Sequence, residues 1–272
     1  MRLRNAEHSR ADSGFTLIEM IVVIVIVGIL ATLGGQFLVA PVTGYVDLAR
    51  RTRLVDQADM ALRRMQRDIR HALPNSIRVD GTGQFLELAN TVDGGRYRRY
   101  ANPVAGGNTL DFTAADTGFD VLGNLSRIPN AGESVVVYNT TATGNSGNVY
   151  AATPDNIATV GAGSDASTVV LNPAALFAAP SPFQRFFIVD GPVTYACQNG
   201  VLNRYAGYGF SQNQPTPPGG TADPVTSGIS ACNFSYDPGA TQRAGLVTLR
   251  LTLTEAGETI TLLHQVHVVN AP

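Results

Sequence analysis

Residues 14–33, which read GFTLIEMIVVIVIVGILATL, decide the fold of this chain. From Met20 to Val46 no residue is charged, and the run is apolar on every face of a helix, as a bilayer-spanning helix must be. Its many β-branched residues do not indicate a strand, because the run is far too long for one. We therefore predict a membrane-spanning helix over residues 15–46.

The segment before this helix is polar, with three arginines and two acidic residues within residues 1–14. A secretory signal peptide would have a shorter apolar region followed by a small-x-small cleavage site, whereas here the small residue, Gly14, precedes the apolar run. By the positive-inside rule the leader stays in the cytoplasm. The rule places everything after about Val46 across the membrane.

Glu19 lies five residues into the apolar segment, where an ionisable group is costly unless it is paired or close to the interface. The run from Gly14 to Glu19 resembles the cleavage and methylation signature of type IV prepilins and pseudopilins. In that family a membrane-embedded prepilin peptidase cuts after the glycine and methylates the new N-terminus. The resemblance implies processing between Gly14 and Phe15. It also implies an assembly role for Glu19, which would meet the amine of an adjacent subunit.

A helical pattern continues beyond the membrane segment. Its apolar positions recur at spacings of three, four and seven, and they are Leu48, Val55, Ala58, Leu62, Met65, Ile69 and Ala72. We expect interruptions at Gly34-Gly35 and Pro41 and an end at Pro74, so that the N-terminal helix covers residues 15–74. The other faces carry seven arginines and four aspartates between Asp47 and Arg70. This mixture favours a solvated or subunit-packing face over a nucleic-acid or lipid patch.

Beyond Pro74 the hydrophobic pattern changes from helical spacing to short runs in which apolar and polar residues alternate. Turn residues separate these runs, which indicates β-strands. The predicted strands are residues 84–88, 134–138, 168–171, 186–190, 193–197 and 202–205, followed by a hairpin of residues 247–254 and 260–268. One face of this hairpin should cover the amphipathic helix. Residues 139–167 and 211–228 are predicted to be surface loops. The fold class is α+β, a long N-terminal helix packed on an antiparallel head of residues 75–272.

Two cysteines, Cys197 and Cys232, are too few for a four-ligand zinc site, and they lack the CxxC spacing of redox catalysts. A single disulfide is the simplest interpretation, and two unpaired buried thiols are the alternative. A disulfide requires an oxidising compartment. This requirement agrees with a head outside the cytoplasm.

The composition argues against several function classes. All 19 basic residues are arginine. Enzymes that need a Schiff-base lysine or a P-loop lysine are therefore excluded. Charged residues make up only 15% and the net charge is −2, so a nucleic-acid partner is not expected. The sequence contains no GxSxG, HExxH, Walker or dinucleotide-binding motif. We expect neither an enzyme nor a cofactor.

Two groups of residues invite a metal-site interpretation. His264 and His267 lie three apart on a predicted strand and should point to opposite faces, so they cannot chelate one ion. Asp111, Asp116 and Asp120 could crowd a calcium ion, but their spacing is not that of an EF-hand loop. We therefore assign no metal site from the sequence.

Four further stretches resemble minor pilins of the mannose-sensitive haemagglutinin (MSHA) pilus system, namely Ala61–Arg70, Asp93–Tyr97, Val189–Val193 and Gly245–Pro272. The resemblance implies a structural subunit of the bacterial inner membrane, with a periplasmic head that later reaches the cell surface in a pilus. Its partners would be other pilin subunits, the prepilin peptidase and a pilus or secretion assembly platform. The alternatives are a J-type pseudopilin of type II secretion, a W-type minor pilin, and a membrane-tethered binding module that never polymerises.

Overall fold

The computed structural model of the chain describes residues 14–104, 106–239 and 244–272, and of residues 35–43 it describes the main chain only. Most of the predicted leader, residues 1–13, lies outside the described residues. The chain divides into two units, one ending at Arg50 and the other beginning at Arg51. The boundary falls inside the long helix. The last part of that helix therefore belongs to the β-rich unit.

The N-terminal helix, α1, spans Leu17–Arg70 and has 54 residues. The predicted interruptions at Gly34-Gly35 and Pro41 are wrong, because α1 is one element through both positions. A proline removes one main-chain hydrogen bond. Ending the helix inside an apolar segment would leave several main-chain N–H and C=O groups without a partner, because no water is present there to bind them. Continuing through the proline is therefore less costly than ending the helix. The helix stops four residues before Pro74, and Arg67 and Arg70 lie in its last turn, where cations interact favourably with the helix dipole.

Twelve strands follow the helix in the part of the chain that the structure describes. They are β1 (Arg78–Val79), β2 (Phe85–Arg96), β3 (Asp116–Asp120), β4 (Ser134–Val137), β5 (Ile157–Thr159), β6 (Thr168–Ala175), β7 (Arg185–Gln198), β8 (Val201–Ala206), β9 (Thr221–Ser227), β10 (Ile229–Asp237), β11 (Gly245–Glu255) and β12 (Glu258–Val268). All their pairings are antiparallel. The predicted α+β class is therefore confirmed.

Strand β7 organises the largest sheet, which has seven strands. It pairs with β2 on one side along most of its length. On the other side its first half pairs with β4 and its second half with β8. The sequence predicted two short strands here, interrupted at Gly191-Pro192. The structure joins them into one strand, because β2 pairs with both halves and register shifts near Asn90 and Thr91 accommodate the residues between them.

The helical residues from Arg51 onwards pack against the first half of β2, the second half of β7 and a three-stranded sheet ordered β10-β11-β12. Alternate residues of β11, among them Leu249 and Leu251, are completely buried in this core. This packing confirms that one face of the C-terminal hairpin covers the amphipathic helix. Two members of the predicted stripe are nevertheless exposed, Leu48 and Val55. Leu54 and Ala61 are buried in the same core.

The two predicted loops are more ordered than the sequence indicated. The region 139–167 contains β5, and the region 211–228 contains β9. Asn139 is buried, and its amide donates to the carbonyl oxygen of Pro74 at 2.8 Å, while its Oδ1 accepts bonds from Val149 and Asn156. Polar side chains in this region therefore form buried hydrogen bonds. They bind main-chain groups that have no partner in a neighbouring strand.

A buried ion pair fastens the segment after β8 to the sheet. Glu87 is fully buried and accepts hydrogen bonds from Arg78 and from the hydroxyl of Tyr208. The Arg78 guanidinium lies 3.8 Å from the centre of the Tyr150 ring and donates to the main-chain oxygens of Ser211 and Gln212. Burial raises the pKa of Glu87 above its usual value, against the opposing effect of Arg78.

Replacing Glu87 with alanine should destabilise the head by about 3 kcal/mol or more, because the Arg78 charge would remain buried without its carboxylate. The matched control, Glu87→Gln, keeps the shape and a hydrogen-bond acceptor for Tyr208, and we expect a smaller loss. Urea unfolding of the full chain in detergent measures both values. Equal stabilities of Glu87→Ala and the unmodified protein would show that the pair contributes nothing.

Candidate processing and assembly site

The helix start lies directly after the predicted cleavage position. Thr16 precedes α1, and its Oγ1 accepts the main-chain N–H of Glu19 at 3.3 Å, while its carbonyl oxygen accepts the N–H of Met20 at 3.2 Å. Thr16 is therefore the N-cap residue of the helix. With Glu19 three residues later, the sequence matches the Thr-x-x-Glu pattern of a capping box. The pattern can be read directly from the residues and sets the helix start at Leu17, two residues after the predicted start at residue 15.

The first residues of the chain that the structure describes are open to their surroundings. The side chain of Phe15 is 80% exposed, and a Cβ added at Gly14 would meet no atom within 4 Å. The bond between these residues is therefore sterically accessible to an enzyme. The roles of Gly14 and Phe15 in cleavage and methylation stay predictions.

Among the described residues, one helical segment is long and apolar enough to cross a membrane, Leu17–Gly34, with a mean hydropathy of 2.7. At 1.5 Å per residue its 18 residues extend about 27 Å, close to the thickness of a bilayer core. None of the segment is buried within the protein. An apolar surface of this extent needs lipid or other helices around it.

Glu19 is the acidic residue in the first turn of α1. A carboxylate at this position interacts favourably with the positive end of the helix dipole. Within the part of the chain that the structure describes, Glu19 forms no ion pair with a basic side chain. An assembly role would have this carboxylate meet a cation of another subunit, and that role stays a prediction.

Comparisons with known proteins agree with these features. Residues 9–34 match the family model described as the prokaryotic N-terminal methylation motif. No curated protein and no solved structure matches the chain. The motif, the apolar helix and the antiparallel head indicate a type IV pilin-like or pseudopilin-like protein, and Leu17–Gly34, the one candidate span among the described residues, suggests a membrane anchor. Such a motif implies processing by a prepilin peptidase and assembly with other pilins, so it indicates a structural subunit.

Cys197 and Cys232 are joined in a disulfide across 35 positions of sequence. Cys197 lies near the end of β7 and Cys232 lies within β10. The bond therefore links the seven-stranded sheet to the three-stranded sheet. Between the two cysteines the chain forms β8, β9 and the start of β10, so the disulfide closes a loop that contains ordered strands.

His264 and His267 have different surroundings. The Nε2 atom of His264 lies 3.0 Å from Oε1 of Gln66 on the helix, and His264 is half-buried. His267 is exposed. The alternation of the strand thus separates the two rings as their spacing predicted.

The three aspartates that could crowd a calcium ion have local partners instead. Asp111 accepts bonds from Thr113, and Asp116 accepts the N–H of Asp111. Asp120 pairs with Arg98. In the three described ranges of the chain, no cluster of three or more potential metal ligands occurs. These carboxylates stabilise turns and strand ends.

Five carboxylates of the head have pKa values below their usual range, namely Asp80, Asp93, Asp111, Glu133 and Asp165. For Asp80, burial raises the pKa, but hydrogen bonds from Thr82, Phe85 and Gln84 outweigh that effect. A lowered folded-state pKa stabilises the fold above the unfolded value and loses that contribution as the pH falls. The contribution of Glu87 to stability changes with pH in the opposite direction, because its pKa is raised.

We therefore expect the head to lose stability as the pH falls from about 5 to about 3. Five carboxylates with lowered pKa values then lose their stabilising effect, and only Glu87 acts in the opposite direction. Asp80→Asn should reduce this acid-induced drop in Tm. The control is Asp223→Asn, which changes an exposed carboxylate of β9. A Tm that rises steadily through the same interval would contradict the prediction.

Proposed function

We propose that this chain is a minor pilin of an MSHA-like type IV pilus, similar to the minor pilin MshO. In this proposal a prepilin peptidase cuts between Gly14 and Phe15 and methylates the new N-terminus, and Glu19 directs assembly. The head is periplasmic while the subunit resides in the inner membrane, and it lies on the filament surface after assembly. One observation carries the proposal: the Gly14–Glu19 motif immediately begins an exposed apolar helix within the matched residues 9–34.

The charges at the helix start support a role in assembly. Cleavage would create a positively charged amine on Phe15 close to the carboxylate of Glu19. Each charge is costly to leave unpaired in a medium of low dielectric constant. The two groups are one helical turn apart, so they can pair within a membrane-resident subunit. In a filament the amine would instead meet the Glu19 carboxylate of a neighbouring subunit, which would fix the axial register of the packed helices.

The head supports the assignment through its architecture. A helix whose last turns are covered by an antiparallel sheet leaves its apolar N-terminal part available for other helices. The resemblance of Ala61–Arg70 and Gly245–Pro272 to MSHA minor pilins covers this helix end and the hairpin packed on it. A J-type pseudopilin would share the N-terminal motif, so filament identity decides between the two systems. Loss of sheared surface pili in a deletion strain supports the pilus, whereas loss of secreted enzymes with pili intact supports type II secretion.

Mass spectrometry of the protein purified from membranes should find an N-terminus at N-methylated Phe15. Gly14→Val should prevent cleavage, because the peptidase would have to accept a branched side chain before the scissile bond. The matched control is Gly28→Val, since a Cβ at either glycine would meet no atom within 4 Å. An intact Met1 in the unmodified protein would overturn the pilin assignment in favour of a membrane-tethered binding module.

A further inference from the structure

A groove runs along the last turns of α1, where the helix faces β9. Its volume is about 640 Å³. The helix forms one wall from Gln57 to Arg70, which is about 20 Å long at 1.5 Å per residue. Val225 and Thr226 of β9 lie across from this wall. All these residues belong to the unit that begins at Arg51. We call this feature the arginine groove.

The charged residues that line the arginine groove are all positive. They are Arg63, Arg64, Arg67 and Arg70. Arg63 pairs with Asp59 at 2.6 Å, while among the described residues the other three form no ion pair with a carboxylate. Asp68, which lies in the same turns, contacts Arg204 and Tyr195 of the large sheet instead. A cleft lined by one sign of charge concentrates ligands of the opposite sign.

The helix dipole accounts for only part of this positive charge. Cations in the last turn of a helix interact favourably with the dipole, and Arg67 and Arg70 lie there. Arg63 and Arg64 precede that turn. Because the whole chain has a net charge of −2, the excess of positive charge is a local property of this groove.

The arginine groove also has apolar surface between its charges. The side chain of Met60 is 63% exposed, and Val225 on the opposite wall is half-buried. None of the described residues that line the groove is aromatic. Proteins that bind single-stranded nucleic acid stack the bases on aromatic rings, so this lining does not suit a nucleic acid. An exposed methionine suits the apolar side chains of a peptide.

We propose that the arginine groove binds an acidic segment of a partner protein, in which carboxylates alternate with apolar side chains. The carboxylates accept hydrogen bonds from Arg64, Arg67 and Arg70, since a guanidinium group matches a carboxylate in shape. The apolar side chains of the segment cover Met60 and Val225. A wall of about 20 Å accommodates several carboxylates in a row, and a single small anion fills only part of it.

This interaction goes beyond the assignment of the chain as a pilin. The groove lies wholly in the unit that begins at Arg51, so its test is independent of cleavage at Gly14. A membrane-tethered binding module would use the groove in the same way as a filament subunit.

Peptide binding to the full chain in nanodiscs of zwitterionic lipid tests the proposal. The probe is a fluorescent peptide that repeats Glu-Leu-Glu-Ala three times, and the control peptide has glutamine in place of glutamate. Fluorescence anisotropy should show binding of the acidic peptide only, after subtraction of its binding to empty nanodiscs. Added salt should weaken this binding, because it screens exposed charges.

The combined variant Arg64→Gln, Arg67→Gln and Arg70→Gln should bind the acidic peptide about tenfold more weakly, because each exposed ion pair contributes about twofold. The matched control removes the same net charge at three exposed positions outside the groove, Arg51→Gln, Arg99→Gln and Arg250→Gln. We expect the control to bind the peptide as the unmodified protein does. Resistance of the head to protease confirms that both variants are folded.

Met60→Ser tests the apolar part of the groove. This change should weaken binding of the Glu-Leu-Glu-Ala peptide about fivefold, because the apolar surface of the methionine is no longer covered. It should leave binding of polyglutamate unchanged. The comparison separates a peptide segment with apolar side chains from a bare polyanion.

Photo-cross-linking in cells tests the chemistry of the natural partner. A photoreactive benzoyl-phenylalanine in place of Met60 should capture a protein whose cross-linked segment is acidic, and the three glutamine changes in the groove should abolish this capture. The control site is Leu263, which is also exposed and apolar but lies outside the groove. A captured segment that is basic or uncharged would contradict the proposal.

Three results of the binding assays would overturn the proposal. Equal affinities of the acidic and the glutamine peptide would show that the groove does not recognise carboxylates. An equal loss of affinity in the two arginine variants would show attraction to the overall charge of the protein. Tighter binding of a single-stranded oligonucleotide with the same number of charges, lost in the groove variant, would assign the groove to nucleic acid.

Discussion

Replacing Glu19 with valine should reduce the amount of this protein in sheared filaments by about a hundredfold, while membrane insertion and cleavage continue. The reduction follows because the amine of Phe15 would remain unpaired in a medium of low dielectric constant, and breaking a buried ion pair costs about 3 kcal/mol or more. Insertion should continue because valine makes the span more apolar. Fractionation of sheared filaments against the membrane pool measures both properties.

The structure supplies the control for this experiment. Thr16 caps the helix through the main-chain N–H of Glu19, so Glu19→Val leaves that hydrogen bond in place. Thr16→Val removes the cap but keeps the carboxylate. We expect Thr16→Val to remain in the filament fraction, since the charge pair is intact. Loss of both variants from filaments would attribute the defect to the helix start and not to the charge.

Two other outcomes would change the role of Glu19. Unaltered incorporation of the cleaved valine variant would exclude an assembly role. If the valine variant is not cleaved, Glu19 acts in recognition by the peptidase. Supplying the variant in an already processed form then separates recognition from assembly.

Removing the disulfide with Cys197→Ala and Cys232→Ala should destabilise the head by roughly 4 kcal/mol, because an unfolded loop of 35 residues would regain its conformational freedom. The loss should concentrate between the two sheets, which this bond links. Urea unfolding of the full chain in detergent measures the change. Ser235→Ala, an exposed change in the same strand as Cys232, is the control.

Limited proteolysis locates the effect. Residues 198–231 contain a single trypsin site, Arg204. Its Nε atom donates to Asp68 at 2.7 Å, so the side chain is held against the helix. We expect trypsin to cut there much faster in the cysteine-free variant. Modification of both native cysteines by a thiol reagent in folded, unreduced protein would contradict the disulfide in the cell.

The sequence was least informative about the middle of the head. Strands β3, β5 and β9 lack a clear alternating pattern, and each contains small or turn-forming residues such as Gly118 and Pro224. Their pairing partners decide their conformation, because a short strand is stable only when neighbours satisfy its main-chain groups. The buried role of Asn139 has the same origin. Its partners, Pro74 and Val149, are 65 and 10 residues away.

The local sequence pattern alone determined the N-terminal apolar helix and the motif at its start. A long uncharged run, a glycine before it and Glu19 within it predicted the single span and the pilin-like motif that the family model matches. Uniform hydrophobicity over a sufficient length is enough there, because every residue of a membrane-spanning helix meets a similar apolar medium. Tertiary structure alone decided that Glu87 is buried with Arg78, that β7 is continuous, and that β9 lies beside the arginines of α1. These features depend on which distant strands become neighbours, and residue spacing along one strand does not encode that choice.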